Sequence, residues 1–345
     1  MPGAELHYAP IADGGEGFCE ALYLALGGTW VDVDTEDALE RPIKARYLWL
    51  ESARTAILEM SEASGLWRLS RKDLDPMRAH TRGTGILMRD AIQRGARRMW
   101  VGLGGSATTD GGMGMAAALG VRFFDSEDNP VEPLPANLVR VRRVDLSGRL
   151  AMPELIAACD VQNPLVGPRG TAAVFSPQKG ATPLQVAALE AGLGVYAGAV
   201  RSGVGVDLQE APGAGAAGGI GFGLMALCGA RMEPGFDLVA RVVGLEERVR
   251  GADLVLTGEG RLDSQSLEGK GPVGLARLAR ACAKPVVAFA GSVQDSPALW
   301  DVFDAIVPIV EGPVSLEESV RGGVEFLERA AFRAARLVRM RDYTL

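Results

Sequence analysis

Two side chains stand where an apolar run gives way to a loop. Asp160 closes LIAACD (155–160), and Lys179 follows TAAVF (171–175) in the segment PQKGA. A carboxylate can take a proton from a hydroxyl, and a nearby ammonium can neutralise charge building on a phosphate. At neighbouring strand ends the pair suits deprotonation of an alcohol beside a phosphoryl group. A loop lysine is more often simply solvated, and that reading of Lys179 stays open. Further carboxylates sit in other loops: Asp13 and Glu16 in ADGGEG (12–17), Asp110 in GGSATTDGG (104–112), and Glu259 and Asp263 with Arg261 in TGEGRLD (257–263).

These loops, together with GAGAAGG (213–219), share one grammar: glycine, small hydroxyl and acidic residues gather after apolar segments. Where a helix follows, its free N–H groups and dipole favour an anion, and glycine lets a phosphate approach the backbone. GGSATTDGG has the best context, because MWVGL before it reads as a strand. Gly104, Gly105, Ser106 and Thr108 could cradle an anion there. Asp110 could accept a hydrogen bond, hold a metal, or simply cap the next helix. Residues 213–218 satisfy GxGxxG, but VDLQEAP ahead of them is no buried strand, so the dinucleotide fingerprint lacks its context. A glycine-rich helix start packed against a neighbour fits that loop as well as a ligand does.

The elements that must position these residues alternate between strand and helix, which predicts an α/β fold. Strands are expected at 99–104, 155–160, 171–175, 253–258, 285–291 and 305–310. Helices are expected at 16–26, 83–95, 112–119, 183–202, 216–230 and from Ser315 onward, with Ser315 and Glu318 forming a capping box. From Leu254 the pattern is a regular βαβαβα, and the N-terminal segment reads as part of another such unit. The expected architecture is therefore two α/β domains. One is a discontinuous Rossmann-like doubly wound domain from residues 1–34 and 244–345; the other is a mixed α/β domain inserted at 35–243. The cleft between them is the expected site.

Composition removes several function classes. The 345 residues are 48% hydrophobic and 23% charged, enough apolar material for a sizeable core. A net charge of -7 leaves no electrostatic footprint for nucleic acid. Four scattered cysteines (19, 159, 228, 282) form no CxxC pair, which argues against structural zinc and for a reducing compartment. With only His7 and His80, the sequence argues against a histidine-rich metal site or a Ser-His-Asp triad. His7 reads as part of an early strand and His80 as solvated or capping. The first residues show no signal-peptide pattern, and the apolar stretch 216–230 is too short and glycine-rich to span a bilayer. A cytoplasmic protein is expected.

In order and spacing, ADGGEG, GGSATTDGG, DVQNPLVGPRG (160–170), PQKGAT, GAGAAGG and TGEGRLDSQSLEGK (257–270) resemble the type I glycerate kinase family of bacteria. The resemblance runs from Ala4 to the last helix. It implies a two-domain α/β kinase that phosphorylates D-glycerate, to 2- or 3-phosphoglycerate, with ATP and Mg²⁺, as a monomer or homodimer. On that basis Asp160, Lys179 and Asp13 are the expected catalytic residues. Asn163 and Arg169 join Gly104, Gly105, Ser106, Thr108, Asp110, Glu259, Arg261, Asp263 and Lys270 as expected substrate or phosphate contacts, and Asp160 and Glu259 as expected metal ligands. Family members usually begin with a strand, a loop resembling APDSFKGSLSA and a helix, all upstream of where this sequence starts. The expectation is a misplaced start, a shortened chain, or a lost βα unit. The rival reading is an impaired homologue that only binds a small anion. Lesser departures are Arg82 for the usual tyrosine before GTG, Thr109 for asparagine, and Gln162 in the DVxNPL motif.

Overall fold

The structure, a computed structural model, describes residues 3–263, 266–267 and 271–339. The chain divides into two compact units, Ala12–Val239 and Met1–Ile11 with Ala240–Leu345. Each is described separately.

In chain order the larger unit contains α1 (Phe18–Leu26), β1 (Thr29–Glu36), β2 (Pro42–Leu50), β3 (Thr55–Glu59), α2 (Ser61–Ser64), α3 (Arg82–Gln93), β4 (Arg98–Gly102), α4 (Met113–Ala118), β5 (Arg122–Phe124), β6 (Arg143–Asp145), β7 (Glu154–Ala158), α5 (Thr171–Phe175), α6 (Pro183–Val204), α7 (Ala216–Cys228) and β8 (Arg231–Glu233), and α8 (Gly235–Val242) begins in it. Its main sheet has the order β1-β2-β3-β4-β7-β8. The β1-β2-β3 pairings are antiparallel, and β3-β4, β4-β7 and β7-β8 are parallel. The central parallel strands β3, β4 and β7 are largely buried, and TAILE of β3 is buried throughout. Leu58, Met99, Val101, Met113, Leu119 and Phe222 belong to one continuous core.

Two sequence expectations change here. TAAVF (171–175) is the helix α5 rather than a strand, because a five-residue apolar run carries no periodicity to separate the two. Residues 12–34 belong to this unit, so the expected domain boundary moves from 34 to 11: α1 packs against β2 and β3 with Phe18 and Leu22 fully buried. Among the described helices only α6 is long and apolar enough, by length and composition, to cross a membrane. It lays Leu189, Leu193, Tyr196 and Val200 into the core.

The smaller unit contains α9 (Leu245–Gly251), β9 (Val255–Leu262), α10 (Gly271–Ala281), β10 (Val286–Val293), α11 (Pro297–Trp300), β11 (Ala305–Pro308), α12 (Leu316–Arg321) and α13 (Gly323–Arg339). Its strands form a parallel sheet in the order β11-β10-β9. The Ser315–Glu318 capping box opens α12 as expected. TGEGRLD is not the expected loop: β9 continues through Leu262, pairing Glu259 with Ala290 and Arg261 with Ser292. The segment ELHYA (5–9) is not assigned to a strand.

Candidate active site at the parallel strand ends

The parallel strands of the larger unit end at Glu59 (β3), Gly102 (β4), Ala158 (β7) and Glu233 (β8). Loops at the carboxyl ends of such strands receive ligands in open α/β sheets. The segment Asp13–Gly15 packs backbone to backbone across this edge. Gly14, at φ +88°, rests on the Ala158 carbonyl, where any Cβ would overlap the oxygen. A Cβ at Gly102 would come within 2.5 Å of Gly14 O, and one at Gly104 within 2.5 Å of Gly15 Cα. Gly235, the first residue of α8, is pressed equally closely against Asp13.

This stacking brings Asp13 to Asp160. Asp13 Oδ1 accepts the Gly15 N–H at 2.9 Å. Burial, and then the Asp13 charge, push Asp160 up to about 7, while the Phe236 and Gly235 amides at the start of α8 partly offset the rise. Asp160 Oδ2 is buried and accepts no hydrogen bond among the described residues. The site therefore holds a carboxylate with a free oxygen and a proton affinity near neutrality, the properties of a general base.

Of GGSATTDGG only Gly104 and Gly105 are open, and Ser106 lies just beneath them at 6% exposure. Lys179 is not a solvated cation. It is 2% exposed on the turn after α5, and its Nζ donates to Ser106 Oγ (2.7 Å) and Thr108 O (2.6 Å). Burial lowers it to about 7 against the opposing pull of Asp110. Because Lys179 fills an acceptor position of Ser106, the Ser106 proton is left to point elsewhere. Lys179 thus acts on the loop from below and is removed from direct contact with solvent or a bound phosphate.

Asp110 resolves to its capping alternative. Fully buried, it accepts Thr81 N (2.9 Å), Thr81 Oγ1 (2.7 Å), Gly112 N (3.1 Å) and Gly114 N (3.0 Å), tying the start of α3 to the start of α4. Thr108 is fully buried as well, so neither residue is placed to meet a ligand. Asn163 shapes its own loop, donating to Arg169 O (2.7 Å) while its carbonyl accepts Gly215 N (2.9 Å); Arg169 is exposed. His80 takes its capping role, with Nδ1 accepting the Arg82 N–H at 3.2 Å. Arg82 itself pairs with Glu36 at 3.1 Å. The GAGAAGG loop is a packing device: a Cβ at Gly218 would overlap Thr108 O, and one at Gly215 would overlap Pro164 O.

Glu259, Arg261 and Asp263 form a separate group in the smaller unit, where Arg261 Nε meets Asp263 Oδ2 at 2.9 Å and Nη2 donates to Gln294 Oε1 at 3.3 Å. Lys270 lies outside the described residues. One residue of the strand-end site escaped sequence reading. Glu59, at the end of β3, is 7% exposed, and burial pushes it up to about 7. The signal was present: an acidic residue closing a five-residue strand that is otherwise wholly apolar or small. Among the described residues no group of three or more potential metal ligands gathers. A Mg²⁺ ion in a phosphoryl-transfer site needs only one or two carboxylates, with water and phosphate completing its shell. The adjacent carboxylates Asp13 and Asp160, with no ion pair to either among the described residues, are a donor set that fits it.

The fold is mixed α/β, with parallel strands that end in glycine-rich loops beside a half-buried carboxylate and an open stretch of backbone. The model of the glycerate kinase family matches residues 1–339. Relatives include a glycerate kinase of Bacillus subtilis (strain 168), 40% identical over 96% of this chain and 88% of its own. Another is a glycerate 2-kinase of Escherichia coli (strain K12), 38% identical with the same coverage. The solved structure "Crystal structure of putative glycerate kinase 2 from Salmonella typhimurium LT2" superposes with a TM-score of 0.84 at 38% identity, covering 99% of this chain and 91% of that one. The chain belongs to the glycerate kinase family and is a kinase.

Proposed function

We propose that this kinase phosphorylates D-glycerate from ATP at the 2-hydroxyl, giving 2-phosphoglycerate. The observation that carries the reading is Asp160: a half-buried carboxylate at a strand end, raised to about 7, with Oδ2 free to accept a proton. The choice of the 2-hydroxyl draws support from the name of the Escherichia coli relative.

Asp160 accepts the proton of the attacking hydroxyl. The exposed backbone of Gly104 and Gly105, with the Ser106 hydroxyl, binds an anionic group, the glycerate carboxylate or a phosphate. Lys179 holds that cradle rigid and polarises Ser106 through the 2.7 Å hydrogen bond. Asp13 would hold Mg²⁺ with water and phosphate completing its shell, and the ion would neutralise charge on the transferring phosphoryl group, leaving Asp160 Oδ2 for the proton. Glu259, Arg261 and Asp263 are the smaller unit's candidates for nucleotide contacts.

The test is incubation of the purified protein with ATP, Mg²⁺ and D-glycerate, with the product identified by phosphorus and proton NMR. 2-Phosphoglycerate is expected. 3-Phosphoglycerate would overturn the regiochemistry, and hydrolysis of ATP without a phosphorylated acid would overturn the substrate.

A further inference from the structure

Helix α1 (Phe18–Leu26) has Gly17 at its N-cap, at a φ of +89°, and glycine has no side chain to cap the first turn. The first N–H groups of a helix need acceptors from elsewhere when they are buried. Here the acceptor comes from another element. Glu59, at the end of β3, accepts the Cys19 N–H through Oε1 at 2.7 Å, in a buried contact across 40 residues of sequence. The Gly17 amide also helps to keep the carboxylate ionised against burial. No ion pair to Glu59 is present among the described residues; the positive end of α1 takes that place.

We propose that Glu59 is a positioning residue for the kinase reaction. By capping α1 from β3, it fixes the segment Asp13–Gly15 over the ends of β4 and β7 and so sets Asp13 against Asp160. The chain of contacts is short. Phe18 N–H donates to Gly15 O at 3.2 Å, Gly15 N–H donates to Asp13 Oδ1 at 2.9 Å, and Gly14 rests on Ala158, two residues before Asp160. A shift of the α1 N-terminus therefore carries Asp13 with it. This inference rests on the assignment of Asp13 and Asp160 made above.

Two substitutions separate the cap from mere filling of space. Glu59→Gln keeps an oxygen that can accept the Cys19 N–H, whereas Glu59→Leu keeps the bulk and removes the acceptor. Turnover of glycerate is expected to fall about 10- to 100-fold in Glu59→Leu, the scale on which small misplacements of catalytic groups act. Glu59→Gln is expected to restore it to within about threefold of wild type, since Gln supplies the same acceptor. Hydrogen exchange read in parallel should show the amides of residues 13–19 losing protection in Glu59→Leu and keeping it in Glu59→Gln, with the strands of the main sheet unchanged in both.

The proposal is overturned if Glu59→Leu keeps wild-type turnover, if Glu59→Gln falls as far as Glu59→Leu, or if protection is lost throughout residues 12–239. Wild-type protein that leaves glycerate unphosphorylated would overturn the functional reading instead. The local exchange pattern would still decide whether Glu59 caps α1.

Discussion

Lys179→Met separates a buried brace from a solvated cation. Methionine keeps the length and most of the volume of the side chain and removes the ammonium. Thr108 O and Ser106 Oγ then lose donors at 2.6 and 2.7 Å. A buried acceptor left unpaired costs about 1–3 kcal/mol. Opposing this is the burden the wild-type chain carries: an amine whose ordinary value of 10.5 is lowered by burial to about 7. In the unfolded chain Lys179 binds its proton up to about pH 10.5, and in the folded chain only up to about pH 7. Between those limits the unfolded state binds more protons, so wild-type stability rises with pH, by up to about 1.4 kcal/mol per unit. Below pH 7 the penalty is at its full size.

The variant lacks this titration, and the other ionisable groups largely cancel in the difference. From pH 6 to pH 9 the stability gap should therefore move in favour of wild type by about 2–3 kcal/mol. Urea denaturation of both proteins at the two pH values measures it. A gap that stays constant with pH would refute the reasoning, because it would mean that the amine titrates alike in the folded and unfolded chain. At pH 8 glycerate turnover should fall by at least about tenfold in Lys179→Met through slackening of Ser106, the scale of losing one fixed donor.

Four further substitutions probe the strand-end site and the loops that support it. Asp160→Asn is expected to cut turnover by about 100-fold or more. It should raise or preserve the thermal midpoint, because the amide relieves repulsion with Asp13; a loss of fold together with activity would contradict this. Gly14→Ala places a Cβ against Ala158 O at a φ of +88°, so a destabilisation of about 2–4 kcal/mol is expected in denaturant titration. Gly17→Ala, at the similar φ of +89° but facing open space, should cost only about 1–2 kcal/mol, and equal losses would show that contact is not the cause. Asp110→Ala strips four hydrogen bonds from a fully buried carboxylate and should cost about 3 kcal/mol or more, measured by the same titration.

Much of this arrangement is legible in the residues. MWVGLG and LIAACD announce buried strands, and the loops after them hold Ser106 and Asp160, which the fold brings to one edge of one sheet. What the residues conceal is depth. GGSATTDGG reads as one open loop because glycine, serine and threonine are small and polar. Lys179 and Asp110 hold most of it inside the unit, leaving only Gly104 and Gly105 open above Ser106. Polarity in a sequence cannot distinguish a hydroxyl facing a ligand from one satisfied, or enclosed, by the fold. Lys179 makes the same point from the other side, since a lysine is buried only when another element supplies its acceptors, and those acceptors lie 71 and 73 residues away.

The glycines of the strand-end site serve close approach of one backbone to another. Gly14, Gly102, Gly104 and Gly235 come from three separate segments, and each is the residue at which a neighbour leaves no room for a Cβ. Their product is a tight crossing of Asp13–Gly15 over the sheet edge that leaves Asp160 half-buried within reach of the Asp13 charge, with no ion pair to either among the described residues. Burial first, and then the Asp13 charge, hold the Asp160 carboxylate near neutrality. A fold built only for stability would have paired Asp160 or left it in water. Holding it half-buried, with one oxygen free, is intelligible as preparation for a proton and a charged substrate that arrive together.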